Sequence, residues 1–146
     1  MLEIRKAGQG DLEGLNQLYL QLTNGDHGLS SEFSVIFAQM QEDSSYHLMV
    51  AITEGNRVIG SLLGIICKSL AANYEAFLVI EDVIVDQEYR RAGVGRALFM
   101  KMDEIALENK CAYSILVSSG FRKEAHRFYE SMGYSDSVLG FRKRFG

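Results

Sequence analysis

Hydrophobic residues recur along the first third of the chain at the spacing of amphipathic helices. The first such helix begins after Gly10-Asp11, where Asp11 is a plausible cap, and ends near residues 23–25. A second is predicted over residues 31–42, and a short strand precedes both over residues 2–5. The apolar positions are Leu12, Leu15, Leu18, Tyr19 and Leu22 in the first helix, and Phe33, Ile36, Phe37 and Met40 in the second.

The middle of the chain changes to the composition of β-strands. Residues 47–53 and 57–68 are rich in β-forming residues, and Glu54-Gly55-Asn56 between them predicts a hairpin turn. Residues 77–85 are nearly all apolar, as in a central strand that is buried on both faces. Glu81 and Asp82 are therefore unusual in its middle.

The second half of the chain alternates between helix and strand. Helices are predicted over residues 95–108 and 122–132, the latter ended by Gly133, and strands over residues 113–117 and 139–144. Strands and helices in this order, with a hairpin in the middle, predict an α/β or α+β fold with a mixed sheet. We expect one domain spanning residues 1–146, because this is an ordinary length for a single domain.

Composition and charge narrow the function classes. The chain is 47% hydrophobic and 23% charged, with a formal net charge of −4. Non-specific electrostatic binding to nucleic acid or to an anionic membrane is therefore disfavoured. The charged N-terminus does not resemble a signal peptide, and we expect a soluble cytoplasmic protein. Cys67 and Cys111 are far apart in sequence, and no metal site is predicted from the cysteines, His27 or His47.

Residues 90–96 form a candidate phosphate site between the buried strand and the following helix. This segment carries three arginines and two glycines. Free backbone N–H groups at a helix start attract anions, and glycine lets a phosphate approach closely. Leu98 stands where a dinucleotide-binding fingerprint needs glycine, so a dinucleotide-binding site is disfavoured. The alternative is a tight turn with solvated arginines.

Two motifs in this order resemble a known family. Residues 90–95, Arg-Arg-Ala-Gly-Val-Gly, match the R/Q-x-x-G-x-G/A signature of the GCN5-related N-acetyltransferase (GNAT) superfamily. Residues 125–134, from Ala125 to Tyr134, resemble the A-x-x-F-Y-x-x-x-G-F/Y block of the same family. The resemblance covers residues 46–134 closely. It implies a central, mostly antiparallel mixed sheet that splays to admit acetyl-CoA and is flanked by about four helices.

The resemblance also implies which residues would bind the cosubstrate, acetyl-CoA. Backbone groups of Val83 and Val85 would pair with the pantetheine arm as an added strand would, and the N–H groups of residues 91–96 would hold the pyrophosphate. His126 could contact the coenzyme, or it could be a half-exposed histidine without function. The full set is Val83, Ile84, Val85, Arg90, Arg91, Ala92, Gly93, Val94, Gly95, Arg96 and His126.

Tyr129 and Glu81 are the candidate catalytic residues. By the resemblance, Tyr129 would protonate the departing thiolate; the alternative is a core aromatic residue. Glu81 would take the proton of the amine, although Asp82 or a water remains open and either acid could instead be structural. In a regular pleat, Glu81 shares a face with Val83 and Val85, unless a bulge intervenes.

The expected function is direct transfer of an acetyl group from acetyl-CoA to a primary amine, in a ternary complex. A small-molecule acceptor is expected, with a protein N-terminus or lysine as the alternative. Its identity would be determined by the first two helices, residues 71–75 and residues 139–146. The alternative is a non-catalytic acyl-CoA-binding or regulatory module on the same fold. Arg122 stands where many relatives have asparagine, a variant similar to aminoalkylphosphonate acetyltransferases. A homodimer is a further expectation from the family.

Overall fold

The sheet and three of the four helices lie in the first of two compact units. A computed structural model describes residues 2–23, 30–118 and 123–146. Its two units are Met1–Ile115 and Leu116–Gly146. Arg122 and His27 lie outside the described residues. The expectation that all 146 residues act as one domain stays a prediction.

The first unit is built on one five-stranded sheet in the order β1-β2-β3-β4-β5. Strands β1 to β4 pair antiparallel with their neighbours, and β5 pairs parallel with β4. The predicted mixed, mostly antiparallel sheet is confirmed. The strands are β1 (Glu3–Lys6), β2 (Tyr46–Ile52), β3 (Val58–Cys67), β4 (Ala76–Val85) and β5 (Cys111–Ile115).

The four helices lie close to their predicted positions. They are α1 (Leu12–Thr23), α2 (Ser31–Glu42) and α3 (Val94–Glu108) in the first unit and α4 (Lys123–Ser131) in the second. The Ser30 hydroxyl accepts the Phe33 N–H at 3.3 Å and caps α2. Gly133, at φ +94°, ends the α4 segment as predicted. None of the helices that the structure describes is long and apolar enough to cross a membrane.

Opposite faces of the sheet pack against different helices. On one face, Leu63 and Ile84 join the apolar residues of α1 in a buried cluster that includes Leu15 and Leu18. On the other, Gly60 and Gly64 lie under α3. A Cβ at Gly60 would stand 2.8 Å from a methyl carbon of Val94, so the helix lies too close to the strand for any side chain.

Replacing Gly60 with alanine should therefore destabilise the first unit. Overpacking a filled core typically costs about 1–3 kcal/mol, partly offset by the lower entropy of alanine in the unfolded chain. We expect a net loss of about 1–2 kcal/mol and a melting temperature lower by about 2–8 °C. Gly10→Ala is the matched control, because a Cβ at Gly10 meets nothing within 4 Å. Equal melting temperatures for the two variants would contradict the close packing of α3.

Two details of the sequence analysis need correction. Asp11 does not cap α1; its carboxylate accepts the Gly8 N–H at 2.7 Å and pairs with Arg5 at 2.7 Å, closing the 3-10 turn Gln9–Asp11 that precedes the helix. The predicted strand at residues 139–144 is wrong, because these residues form no strand. Leu139 and Phe141 are 83% and 92% exposed. Alternating apolar residues make a strand only where a neighbour completes the hydrogen bonds.

Candidate active site

A β-bulge interrupts β4 at the two acidic residues. Ile84 lies opposite Ser61, whereas Glu81 lies opposite Leu63, so two residues of β4 face the single residue between them on β3. Asp82 is the bulged residue, with φ of +55°. The bulge reverses the inside-outside alternation, so Glu81 shares a face with Ile84. Glu81 therefore does not share a face with Val83 and Val85, because the strand has the bulge that was the stated exception to the regular pleat.

The far half of β4 presents a free strand edge. The last pair between β4 and β5 joins Val79 to Ile115, where β5 ends. From there to Val85, β4 has no strand neighbour on that side among the residues that the structure describes. An unpaired row of backbone N–H and C=O groups is suited to bind an extended ligand as an added strand would.

The segment after β4 leads into an uncapped helix start. Gly93 adopts φ of +84° at the N-cap of α3, and no side chain caps this helix. The first turn of α3 contains no acidic residue. A Cβ at Gly93 would meet nothing within 4 Å, so the backbone here is open to a ligand. Uncapped N–H groups and the helix dipole together favour an anion.

Asp86 anchors the start of this segment. Its N–H donates to the Ile59 carbonyl at 2.8 Å, and its carboxylate accepts the Glu88 N–H at 3.0 Å. The Arg57 guanidinium pairs with Asp86 at 3.1 Å and stands 5.3 Å from the centre of the Tyr89 ring. Because Asp86 is buried, these contacts hold the path of the backbone between β4 and the arginines.

A cavity of about 750 Å³ opens between α1, α2 and the sheet. This volume is in the range of small-molecule sites. Nine of its fifteen described lining residues are aliphatic, phenylalanine or methionine. Asp82 is the residue of β4 among them, so the bulge brings a carboxylate to the cavity.

Burial and charge shape the electrostatics at this end of the cavity. Desolvation raises the pKa of Asp82 above that of an ordinary carboxyl group, although the cavity leaves its side chain accessible. Burial, with the negative charge of Asp82 as the second cause, raises the pKa of Tyr19 to about 12. Tyr19 therefore stays protonated, and its phenol can donate a hydrogen bond within the cavity.

Comparison with known proteins identifies the fold family. The model of the acetyltransferase (GNAT) family matches residues 12–134. The chain belongs to the GNAT family. A glucosamine 6-phosphate N-acetyltransferase of Trypanosoma brucei brucei is 30% identical over 133 residues, covering 91% of this chain and 88% of that protein. A thialysine N-epsilon-acetyltransferase of Bos taurus is 27% identical over 144 residues, covering 91% of this chain and 84% of that protein.

A solved structure shares the same fold and family. The glucosamine-6-phosphate N-acetyltransferase from Arabidopsis thaliana superposes with a TM-score of 0.90 at 25% identity, covering 100% of this chain and 99% of that one. As a GNAT protein, the chain is an acetyl-CoA-dependent N-acetyltransferase. The free edge of β4 and the uncapped start of α3 fit acetyl-CoA, one matching its extended arm and the other its pyrophosphate.

The predicted coenzyme residues occupy distinct positions around the GNAT loop. Ile84 is buried in the core, whereas Val83 and Val85 are half-buried. Arg90 donates from Nε to the Val85 carbonyl at 3.3 Å. The remaining residues form the exposed turn and the first residues of α3, and these are Arg91, Ala92, Gly93, Val94, Gly95 and Arg96. Val94 differs from this group because it is buried.

The second GNAT motif lies on α4 in the second unit. Tyr129 and His126 are half-buried on this helix. The Tyr129 ring stands 5.7 Å from that of Phe128 and 6.4 Å from that of Tyr134, so its neighbours within the unit are aromatic. The roles predicted for Tyr129 and His126 stay predictions.

The sequence favours Glu81 as the base and leaves Asp82 as the alternative. Glu81 and Asp82 are both exposed, but only Asp82 is among the described residues that line the cavity. Tyr19 was identified only as a helix-face residue. The sequence signal that could have found the cavity is the set of polar groups Asn16, Tyr19 and Thr23, which follow one side of α1 at spacings of three and four.

Proposed function

We propose that this GNAT enzyme acetylates the primary amine of a small molecule held in the cavity between α1 and α2. The observation that carries the proposal is the Asp82 carboxylate at the β4 bulge, which lines this cavity and adjoins the free edge of β4. Relatives named for glucosamine 6-phosphate and thialysine support a small amine as the acceptor.

Asp82 would bind the ammonium group and take its proton. An amine attacks only when it is neutral, and a carboxylate with a raised pKa is a better proton acceptor than an ordinary one. Acetyl-CoA supplies the activated thioester. The neutral nitrogen forms its bond to the acetyl carbon as the carbon–sulfur bond breaks, and CoA leaves as a thiolate. The nitrogen then loses its second proton, the thiolate takes up one proton, in the predicted scheme from Tyr129, and the proton on Asp82 is released to water. The products are the amide, the CoA thiol and one proton. Glu81, placed first by the sequence, is the competing base.

Backbone groups would hold acetyl-CoA. The proposed contacts are the main chain of Val83 and Val85 for the pantetheine arm and the N–H groups of residues 91–96 for the pyrophosphate. The open left-handed turn at Gly93 and the uncapped start of α3 support the second contact. Arg90, Arg91 and Arg96 are exposed and can add charge to the same region.

The wider assignments are proposals of the same kind. Both cysteines are free thiols, which supports the reducing cytoplasm as the location. The family match spans residues on both sides of position 115, which supports one functional domain. A homodimer and the likeness to aminoalkylphosphonate acetyltransferases stay predictions, and sedimentation velocity tests the first of them.

The proposal is tested by thiol release from acetyl-CoA in the presence of a panel of primary amines. The panel contains glucosamine 6-phosphate, glucosamine, thialysine and simple alkylamines, and calorimetry measures acetyl-CoA binding separately. We expect selective binding of acetyl-CoA over ATP and NAD, and amine-dependent release of the thiol. Binding without turnover on any amine would favour the non-catalytic module instead.

Replacing Tyr129 with phenylalanine should lower kcat by roughly 10–50-fold, because the departing thiolate loses its proton donor and water must replace it. Acetyl-CoA affinity should be unchanged, since the ring is kept. Tyr134→Phe is the matched control, because it removes the hydroxyl of the neighbouring ring, 6.4 Å away. Equal kcat values in both variants, measured by thiol release, would contradict an acid role for Tyr129.

A further inference from the structure

The lining of the cavity between α1 and α2 is mostly apolar. Phe33, Ile36 and Leu22 contribute to it alongside six further apolar side chains. Ile36 is 48% exposed, although it belongs to a helix whose Phe37 is fully packed in the core. An apolar wall that stays exposed in the protein gains most when a ligand with its own apolar surface covers it.

The charged residues among the described lining of the cavity have a single sign. The described lining residues include two carboxyl groups, Glu32 at the start of α2 and Asp82 on β4, and no lysine, arginine or histidine. Recognition of a phosphate monoester usually relies on arginine, lysine or a helix N-terminus. The N-terminus of α2 does line this cavity, but the Ser30 hydroxyl accepts its Phe33 N–H and the Glu32 carboxylate adds a negative charge to its first turn, so it does not favour a second anion. Two carboxylates would repel a sugar phosphate, whereas they attract an ammonium group.

We infer that the acceptor is a primary amine with an apolar alkyl or aryl body and no phosphate group. The inference rests on the proposed function, because it assigns a substrate class to the same cavity. Asp82 would bind the ammonium end beside β4. The body of the amine would lie along α1 and α2 against Phe33 and Ile36. The acceptor class would thus differ from the sugar phosphate for which two of the relatives are named.

A homologous series of alkylamines tests the apolar wall directly. Each methylene buried contributes about fourfold to binding, so kcat/KM should rise by about two- to fourfold per carbon from propylamine to hexylamine. Hexylamine should exceed glucosamine 6-phosphate by at least about tenfold, since the phosphate meets two acids and no cation in the described lining. Glucosamine, which lacks the phosphate, separates the effect of charge from that of the sugar ring.

Two adjacent residues of α2 form a matched pair of variants. Ile36 lines the cavity, whereas Val35 does not, and the two side chains are 48% and 54% exposed. Ile36→Ala should lower kcat/KM for hexylamine about three- to tenfold and leave propylamine nearly unchanged, because only the longer chain reaches it. Val35→Ala should match the wild type with both amines. Because the two side chains are similarly exposed, the two truncations should affect folding alike, and melting temperatures check this.

The outcomes separate this inference from the proposed function. A flat alkylamine series, with glucosamine 6-phosphate as the fastest acceptor, would overturn the inference while acetyl transfer stands. If no amine is acetylated, calorimetry with the CoA-loaded protein replaces kinetics. An affinity that rises with each methylene from propylamine to hexylamine would then support the apolar amine as the ligand, although the proposed activity fails. Absence of alkylamine binding would overturn both.

Discussion

Replacing Asp82 with asparagine is expected to lower kcat/KM for the amine by about two to three orders of magnitude, the usual contribution of a general base. The amide keeps the shape of the side chain but can neither take a proton nor attract an ammonium ion. Acetyl-CoA binding should stay within about twofold, because the proposed coenzyme contacts are backbone groups that the substitution leaves in place. Thiol release measures the first quantity and calorimetry the second.

The raised pKa of Asp82 predicts how kcat/KM and stability change with pH. Burial raises the pKa of Asp82, so the base is lost as the pH falls through a value above that of an ordinary carboxyl group. The wild type should therefore show an acid limb in kcat/KM that Asp82→Asn lacks. A raised carboxyl pKa also means that ionisation of Asp82 opposes folding, beginning as the pH rises through the ordinary carboxyl pKa of the unfolded chain and in full above the raised pKa of the folded protein. The variant should be as stable as the wild type at low pH and more stable at neutral pH.

Two further variants define the origin of the loss. Asp103 on α3 also has a pKa raised by burial and does not line the cavity, so Asp103→Asn should retain wild-type kinetics. Glu81→Gln compares the neighbouring acid. A larger loss in Glu81→Gln than in Asp82→Asn would return the base to the residue that the sequence placed first. An unchanged acid limb in Asp82→Asn would also exclude Asp82 as the base.

Gly93→Glu should abolish tight acetyl-CoA binding, with an affinity loss of more than about a hundredfold. The residue sits at φ +84°, where a side chain costs about 1–3 kcal/mol of backbone strain. A carboxylate at the start of α3 would also occupy the N–H groups proposed for the pyrophosphate and repel its charge. Calorimetric titration with acetyl-CoA measures the loss.

Strain and charge are separated by two controls. Gly93→Gln introduces nearly the same bulk without the charge and should bind acetyl-CoA at least about tenfold more tightly than Gly93→Glu. Gly133→Ala places a side chain at φ +94° in equally open space after α4, so it repeats the strain outside the loop. Wild-type acetyl-CoA affinity in Gly93→Glu would contradict the phosphate site.

Much of the fold follows from local pattern. The predicted bounds of α2 agree with the observed helix at both ends, and β2 to β4 differ by one residue, because helix and strand periods and turn residues are local properties. The strand predicted at residues 139–144 is wrong because pairing is not a local property. Its alternation resembles a strand, yet pairing depends on a neighbouring strand that local sequence does not specify.

In the candidate site, too, the features set by local sequence were predictable and those set by strand pairing were not. The open turn at Gly93 was predictable, since glycine before a helix start is a local signal and the two motifs carry the GNAT family on their own. The face of the sheet on which Glu81 lies was not predictable. One bulged residue at Asp82 reverses the pleat, and a bulge is a property of two paired strands rather than of one.

The sequence by itself determined the family, the cosubstrate and the order of helices and strands, because motifs and periods need no knowledge of distant contacts. Only the tertiary structure decided which acid lines the cavity and what kind of wall surrounds it. Asp82 and Ile36 are 46 positions apart in the chain. They line one cavity because α2 packs on the face of the sheet that carries Leu63, and the bulge of β4 brings Asp82 to the same cavity. The register of β3 against β4 selects the carboxylate, and helix packing selects the apolar surface that would bind the amine.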